Sequence, residues 1–146
     1  MALDPDQLAR KIADHLLSQE GTGPAWGVEI EDAREGYSRI AITVRPDMLN
    51  GHGIVHGGMV FALADTAFAY ACNSRNVATV AQAASIVFLS SAAAGERLTA
   101  EATEKALEGR TGVYEMIVRS GARTVAVFQG QSRSLGRPVL ENLEQA

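Results

Sequence analysis

The sequence predicts an α+β domain in which an antiparallel sheet lays one face over a single long apolar helix. Residues 57 to 72 are apolar on every side apart from Asp65, the pattern of a helix buried all round. From residue 77 to near the end, apolar residues recur at strand spacing between short glycine-bearing turns. The resulting order is helix, two strands, buried helix, four strands. It is satisfied when sheet and helix bury their apolar sides on each other.

An extra helix opens the chain within residues 1–22. Asp4 is its cap, Pro5 lies in its first turn, and Leu8, Ile12 and Leu16 recur at helical spacing. It ends near Gly21-Thr22-Gly23-Pro24. Two alternating runs follow, Trp26-Val28-Ile30 and Ile40-Ile42-Val44, joined by a polar connection carrying Gly36, and they read as a hairpin. Pro46 stops the second run, and Asn50-Gly51-His52-Gly53 forms a loop before the apolar helix. Strands are expected at about 77–90, 96–107, 112–120 and 123–134, and residues 136–146 as a loosely held tail.

The 146 residues suit one domain, 1–146. With 17 acidic against 13 basic residues and no basic run interleaved with aromatics, no nucleic-acid face is expected. The N-terminus lacks a basic region leading into an apolar core, and the 57–72 stretch is too short for a membrane span, so a soluble cytoplasmic protein is expected. The lone Cys72 has no intrachain disulfide partner and reads as core filler.

Asp65 carries the strongest functional signal, because ionised carboxylates are rarely buried without a partner or a task. The alternative is a satisfied structural carboxylate, paired with Thr66 or an arginine. At the helix start, Gly57 and Gly58 present backbone N–H groups and the positive end of the helix dipole, suited to a carbonyl oxygen becoming an oxyanion. Tight packing of the helix start would also call for such glycines.

Asp65 lies eight residues beyond Gly57, roughly 12 Å along the axis, too far for both to touch one reacting carbon. Two copies of the helix packed antiparallel about a two-fold axis would bring Gly57 of one beside Asp65 of the other, giving two shared sites. Asn50, His52 and His56 line the loop feeding the helix, where an amide or imidazole can orient a thioester or a water. Simpler roles are turn chemistry for Asn50, a solvated position for His52, which suits it better, and capping for His56. Substrate-binding candidates are thus His52, His56, Gly58 and Thr66. No third ligand joins His52 and His56 at metal-site spacing, so neither metal nor cofactor is expected. With no nucleophile elbow, phosphate loop or dinucleotide fingerprint, the chemistry narrows to a carboxylate, a water or direct attack, and an oxyanion pocket. A thioester suits this equipment, since a thiolate leaves without a strong acid.

Met48-Leu49-Asn50-Gly51-His52, His56-Gly57-Gly58 and the run from Leu63 to Ser74 closely resemble the hotdog-fold acyl-CoA thioesterases of bacterial phenylacetate degradation, the PaaI-like family. Thr111-Gly112-Val113-Tyr114-Glu115 and Thr124-Val125-Ala126-Val127-Phe128 extend the resemblance over nearly the whole chain after the first helix. The resemblance implies a curved antiparallel sheet wrapped around the central helix, dimers with continuous sheets, and a homotetramer built from two dimers. It implies Asp65 as nucleophile or general base, Gly57 as the oxyanion donor from the other subunit, and Asn50 as a positioning residue. Its substrates are phenylacetyl-CoA and ring-hydroxylated phenylacetyl-CoA esters.

Two features depart from that pattern. Ser90-Ser91-Ala92-Ala93-Ala94 stands where many relatives carry proline, and alanines at 78, 81, 83 and 84 stand where some relatives supply a hydroxyl near the aspartate. Thr79, Gln82 or Ser85 are candidate substitutes. Arg75, Lys105, Arg110 and Arg123 are candidates for the CoA phosphates. The alternatives are a non-catalytic acyl-CoA-binding protein, a thioesterase preferring aliphatic acyl groups, and hydroxyacyl dehydration, which needs a histidine beside the acid.

Overall fold

The computed structural model describes residues 2–143. Helix α1 spans Pro5–Gln19 and a short helix α2 spans Thr22–Trp26. The strands are β1 (Glu29–Arg34), β2 (Tyr37–Thr43), β3 (Thr79–Phe88), β4 (Arg97–Glu108), β5 (Thr111–Ser120) and β6 (Arg123–Ser134), and the central helix α3 spans Gly57–Cys72. All six strands form one antiparallel sheet in the order β1-β2-β4-β5-β6-β3, so β3 is an edge. The sheet packs on α3 through Ile40, Leu98, Met116, Phe128 and their buried neighbours. No helix among the described residues is long and apolar enough to cross a membrane.

The Asp4 cap closes a full capping box: its carboxylate accepts from the N–H groups of Asp6 and Gln7, and the Gln7 side chain accepts from the Asp4 N–H. Ala9, Ile12 and Ala13 form the buried stripe of α1. One expected strand residue is helical. Trp26 ends α2, because Pro24 suits a helical first turn and Gly27 takes the left-handed conformation (φ 68°) that closes it, so β1 starts only at Glu29. Strand β2 starts at Tyr37, three residues before the expected Ile40, and the four later strands lie within about two residues of expectation.

The expected loose tail is tethered as far as Leu140. Asn76 donates to the Leu140 carbonyl and accepts from its N–H, while Ala78 N–H donates to the Arg137 carbonyl. Residues 144–146 of that expected tail lie outside the described residues.

Strand β3 carries a bulge at Gln82: Ala81 pairs with Ser132, but Ala83 pairs with Gln131. The extra residue reverses parity along the strand. Thr79 and Ala81 oppose Ser134 and Ser132, whereas Ala84, Ile86 and Phe88 oppose Gly130, Phe128 and Ala126. Phe128 is core and Gly130 lies under the Phe68 ring, so these positions face α3 and Ser85, opposite Gln129, faces away.

Candidate active site

A helix start leaves four backbone N–H groups without intrahelical partners. At α3 three of the four are satisfied. His56 N–H donates to the Met48 carbonyl at 2.8 Å, Gly58 N–H to the His56 Nδ1 at 2.8 Å, and Met59 N–H to the His56 carbonyl at 2.9 Å. Only the Gly57 N–H has no acceptor among the described residues, and it lines a cavity of about 380 Å³ with Asn50, Val60, Phe88 and Ser90. His56 is therefore the helix cap. Gly58, expected as a second oxyanion donor, has committed its N–H to that cap.

Asn50 shapes the loop that feeds the helix. Its Oδ1 accepts from the N–H groups of His52 (2.9 Å) and Ile54 (3.3 Å), while its Nδ2, beside the Gly57 cavity, has no acceptor among the described residues. His52 is exposed, and its imidazole has no partner among the described residues.

Asp65 sits half-buried on α3 with no hydrogen bond or ion pair among the described residues. Burial holds its carboxyl above the usual carboxylate range, with no opposing interaction to pull it back. The structural pairings considered for it are not made: the Thr66 hydroxyl donates to the Ala62 carbonyl at 2.7 Å, and no arginine among the described residues bonds Asp65. That leaves Thr66 without a proton to give a substrate. A carboxylate kept partly from water and unpaired suits a base or nucleophile held ready.

Three of the four candidate phosphate ligands are already neutralised. Arg75 forks onto Glu104 and reaches Glu35, Arg123 binds Glu96, and Lys105 lies 4.0 Å from Glu115. Arg110 alone of the four lacks an acid partner among the described residues. Of the hydroxyl substitutes, Ser85 faces away from α3, and Thr79 donates to the Val77 carbonyl beyond the C-terminal end of α3. The Cys72 thiol is pushed up to about 12 by burial, as suits an inert filler.

Residues 52–127 match the thioesterase superfamily. The chain belongs to that superfamily. It is a thioester hydrolase of the hotdog fold. Over 125 residues it is 44% identical to the acyl-coenzyme A thioesterase PaaI of Escherichia coli, covering 85% of this chain and 89% of that protein. The structure of the E. coli PaaI protein from the phenylacetic acid degradation operon superposes with a TM-score of 0.89 at 40% identity, covering 91% and 97% of the two chains. A mutant form of the phenylacetic acid degradation protein PaaI from Thermus thermophilus gives 0.77 at 36% identity, covering 80% and 100%.

Sequence reasoning passed over Ser132 in this thioesterase. It is buried on the inner face of β6, two residues beyond Gly130. The period-two alternation from Phe128 is a sufficient signal for it.

Proposed function

We propose that this thioesterase hydrolyses phenylacetyl-CoA or ring-hydroxylated phenylacetyl-CoA esters to the free acid and CoA, in sites shared between two subunits. The observation that carries this reading is the unpaired, partly desolvated Asp65 on the same helix as an unused Gly57 N–H, two turns too far away to serve the same carbonyl. An antiparallel pair of α3 helices removes that distance. The thioester oxygen then accepts from the partner's Gly57 at the positive end of its helix, while Asp65 either takes a proton from an attacking water or attacks the carbonyl carbon itself. In both routes the C–S bond breaks with its electrons on sulfur, and CoA leaves as a thiolate. In the second route water then hydrolyses the acyl-aspartate anhydride. The Asn50 Nδ2 is free to position substrate or water.

The exposed edge supports a dimer. Strand β3 is unpaired on one side and displays Val80, Val87 and Phe88, with Leu89 just beyond. Joining two such edges continues the sheet and sets the α3 helices antiparallel. A tetramer would pair two such dimers. The aryl substrate class rests on the resemblance to PaaI proteins of phenylacetic acid degradation.

The test is release of CoA thiol from phenylacetyl-CoA, hydroxyphenylacetyl-CoA and several aliphatic acyl-CoAs. Asp65→Asn is expected to lower kcat at least about a hundredfold with little change in KM. Unchanged turnover would refute the mechanism, and faster hydrolysis of aliphatic esters would refute the substrate class.

A further inference from the structure

A second cavity, of about 230 Å³, opens at the C-terminal end of α3 between Cys72, Val77, Leu107, Tyr114 and Ser132. Cys72 follows Asp65 by seven residues, two helical turns along the same face and about 10 Å away. Seven residues at 3.6 per turn return to nearly the same direction, so the cavity wall formed by Cys72 lies on the Asp65 side of the helix. Of its polar groups, Arg110 is exposed and Ser134 partly exposed, and the more enclosed ones are mostly committed. Glu104 accepts from the Tyr114 hydroxyl at 2.8 Å and from Arg75, and Thr79 donates to the Val77 carbonyl.

Ser132 differs. It is 1% exposed, yet its hydroxyl has no partner among the described residues. Since no wholly enclosed side-chain oxygen or nitrogen among those residues lacks a partner, this hydroxyl must face the open space of the cavity. Gly112 makes room for it: a Cβ there would stand 2.6 Å from the Ser132 Oγ. A buried hydroxyl kept without a partner is costly unless something else supplies the bond.

We propose that this cavity receives the far end of the acyl group, and that Ser132 is a specificity-determining residue that hydrogen-bonds a polar substituent on an aryl acyl group. The assignment rests on the thioesterase reading of Asp65. With the carbonyl carbon held at Asp65, an arylacetyl group laid along α3 puts its ring among Val77, Leu107 and Tyr114 and its distal substituent at Ser132. An unsubstituted ring fills the same slot but leaves the hydroxyl unpaired, so the site favours the hydroxylated ester.

The test compares kcat/KM for 4-hydroxyphenylacetyl-CoA and phenylacetyl-CoA in wild type, Ser132→Ala and Ser132→Cys, the last keeping the shape but donating poorly. Both substitutions should lower kcat/KM for the hydroxylated ester about three- to tenfold, the worth of one neutral hydrogen bond, and leave phenylacetyl-CoA within about twofold. Equal losses for both esters, or no loss for either, would overturn the assignment. Equilibrium binding of the two esters to Asp65→Asn, with and without Ser132→Ala, decides the matter independently of turnover. Selective weakening of the hydroxylated ester upholds the role of Ser132 even if the wild type hydrolyses neither, an outcome that would sink only the catalytic reading; equal binding overturns it.

Discussion

Gly57→Pro removes one hydrogen atom of interest, the N–H proposed to hold the oxyanion, at a position where proline is otherwise welcome. Gly57 is the first residue of α3, its N–H has no acceptor among the described residues, and proline is favoured at this helical position. The preceding residue must be extended, and His56 already is, at φ −65° and ψ 134°. The one neighbour within 4 Å of an added Cβ is Phe88, whose Cζ would lie 3.1 Å away; the ring, 52% exposed in the single chain, need give by only a few tenths of an ångström. Folding should therefore survive, while loss of an oxyanion donor lowers kcat by about 10²–10³, or about 2.7–4 kcal/mol of transition-state stabilisation. Gly57→Ala, which keeps the N–H and places the same Cβ, is the steric control and should stay within about tenfold of wild type. Thiol release, circular dichroism and light scattering read the three requirements. The sharper form mixes two inactive proteins. After co-refolding equal amounts of Gly57→Pro and Asp65→Asn, half the dimers are mixed, and each mixed dimer gathers both defects into one site and leaves the other intact, restoring about a quarter of wild-type activity. A folded Gly57→Pro dimer with wild-type kcat, or no recovery on mixing, would refute the shared site.

Other expectations follow from the same geometry. Catalysis needs the Asp65 carboxylate, which burial holds above the usual carboxylate range, so kcat/KM should rise with pH through that elevated value, and an acid limb at an ordinary carboxylate pKa would contradict the assignment. Because the folded pKa is the higher one, the ionised carboxylate costs stability above the unfolded pKa, and that cost fades as pH falls through the folded value; Asp65→Asn should melt at or above wild type at pH 7, with the gap closing in acid, whereas a lower Tm at neutral pH would reveal a stabilising partner. Gly130→Ala would place a Cβ 2.4 Å from the Phe68 ring and should cost about 1–3 kcal/mol in urea unfolding, an unchanged midpoint showing that the ring yields freely. Val80→Lys with Val87→Lys charges the bare β3 edge and should give an inactive monomer by light scattering; a monomer with full turnover would overturn the dimeric site.

Much of the fold was legible because its signals are local. The Asp4 cap, the apolar run of α3, and the glycine turns that bound β4, β5 and β6 each depend on residues a few positions apart. The failures are equally physical. Trp26 alternates with Val28 and Ile30 as a strand would, but a proline and a left-handed glycine closed a helical turn there first. The Gln82 bulge is set by a partner strand some fifty residues away, so alternation within β3 could not reveal that Ser85 faces away from the site and Ala84 toward it. The tail beyond Gly136 looks polar and loose in sequence, yet Asn76 pins it through two backbone bonds to Leu140.

By itself the sequence determined that one carboxylate rides in an apolar helix, that a glycine pair opens that helix, and that the two stand too far apart to act within one chain. These are consequences of residue type and helical rise. Which of those groups remains free is decided only in three dimensions, because hydrogen-bond partners are chosen by neighbours in space. There His56 takes the N–H of Gly58 and leaves that of Gly57, Thr66 turns to Ala62 and leaves Asp65 unpaired, and Ser132 comes to face a cavity two turns beyond the acid.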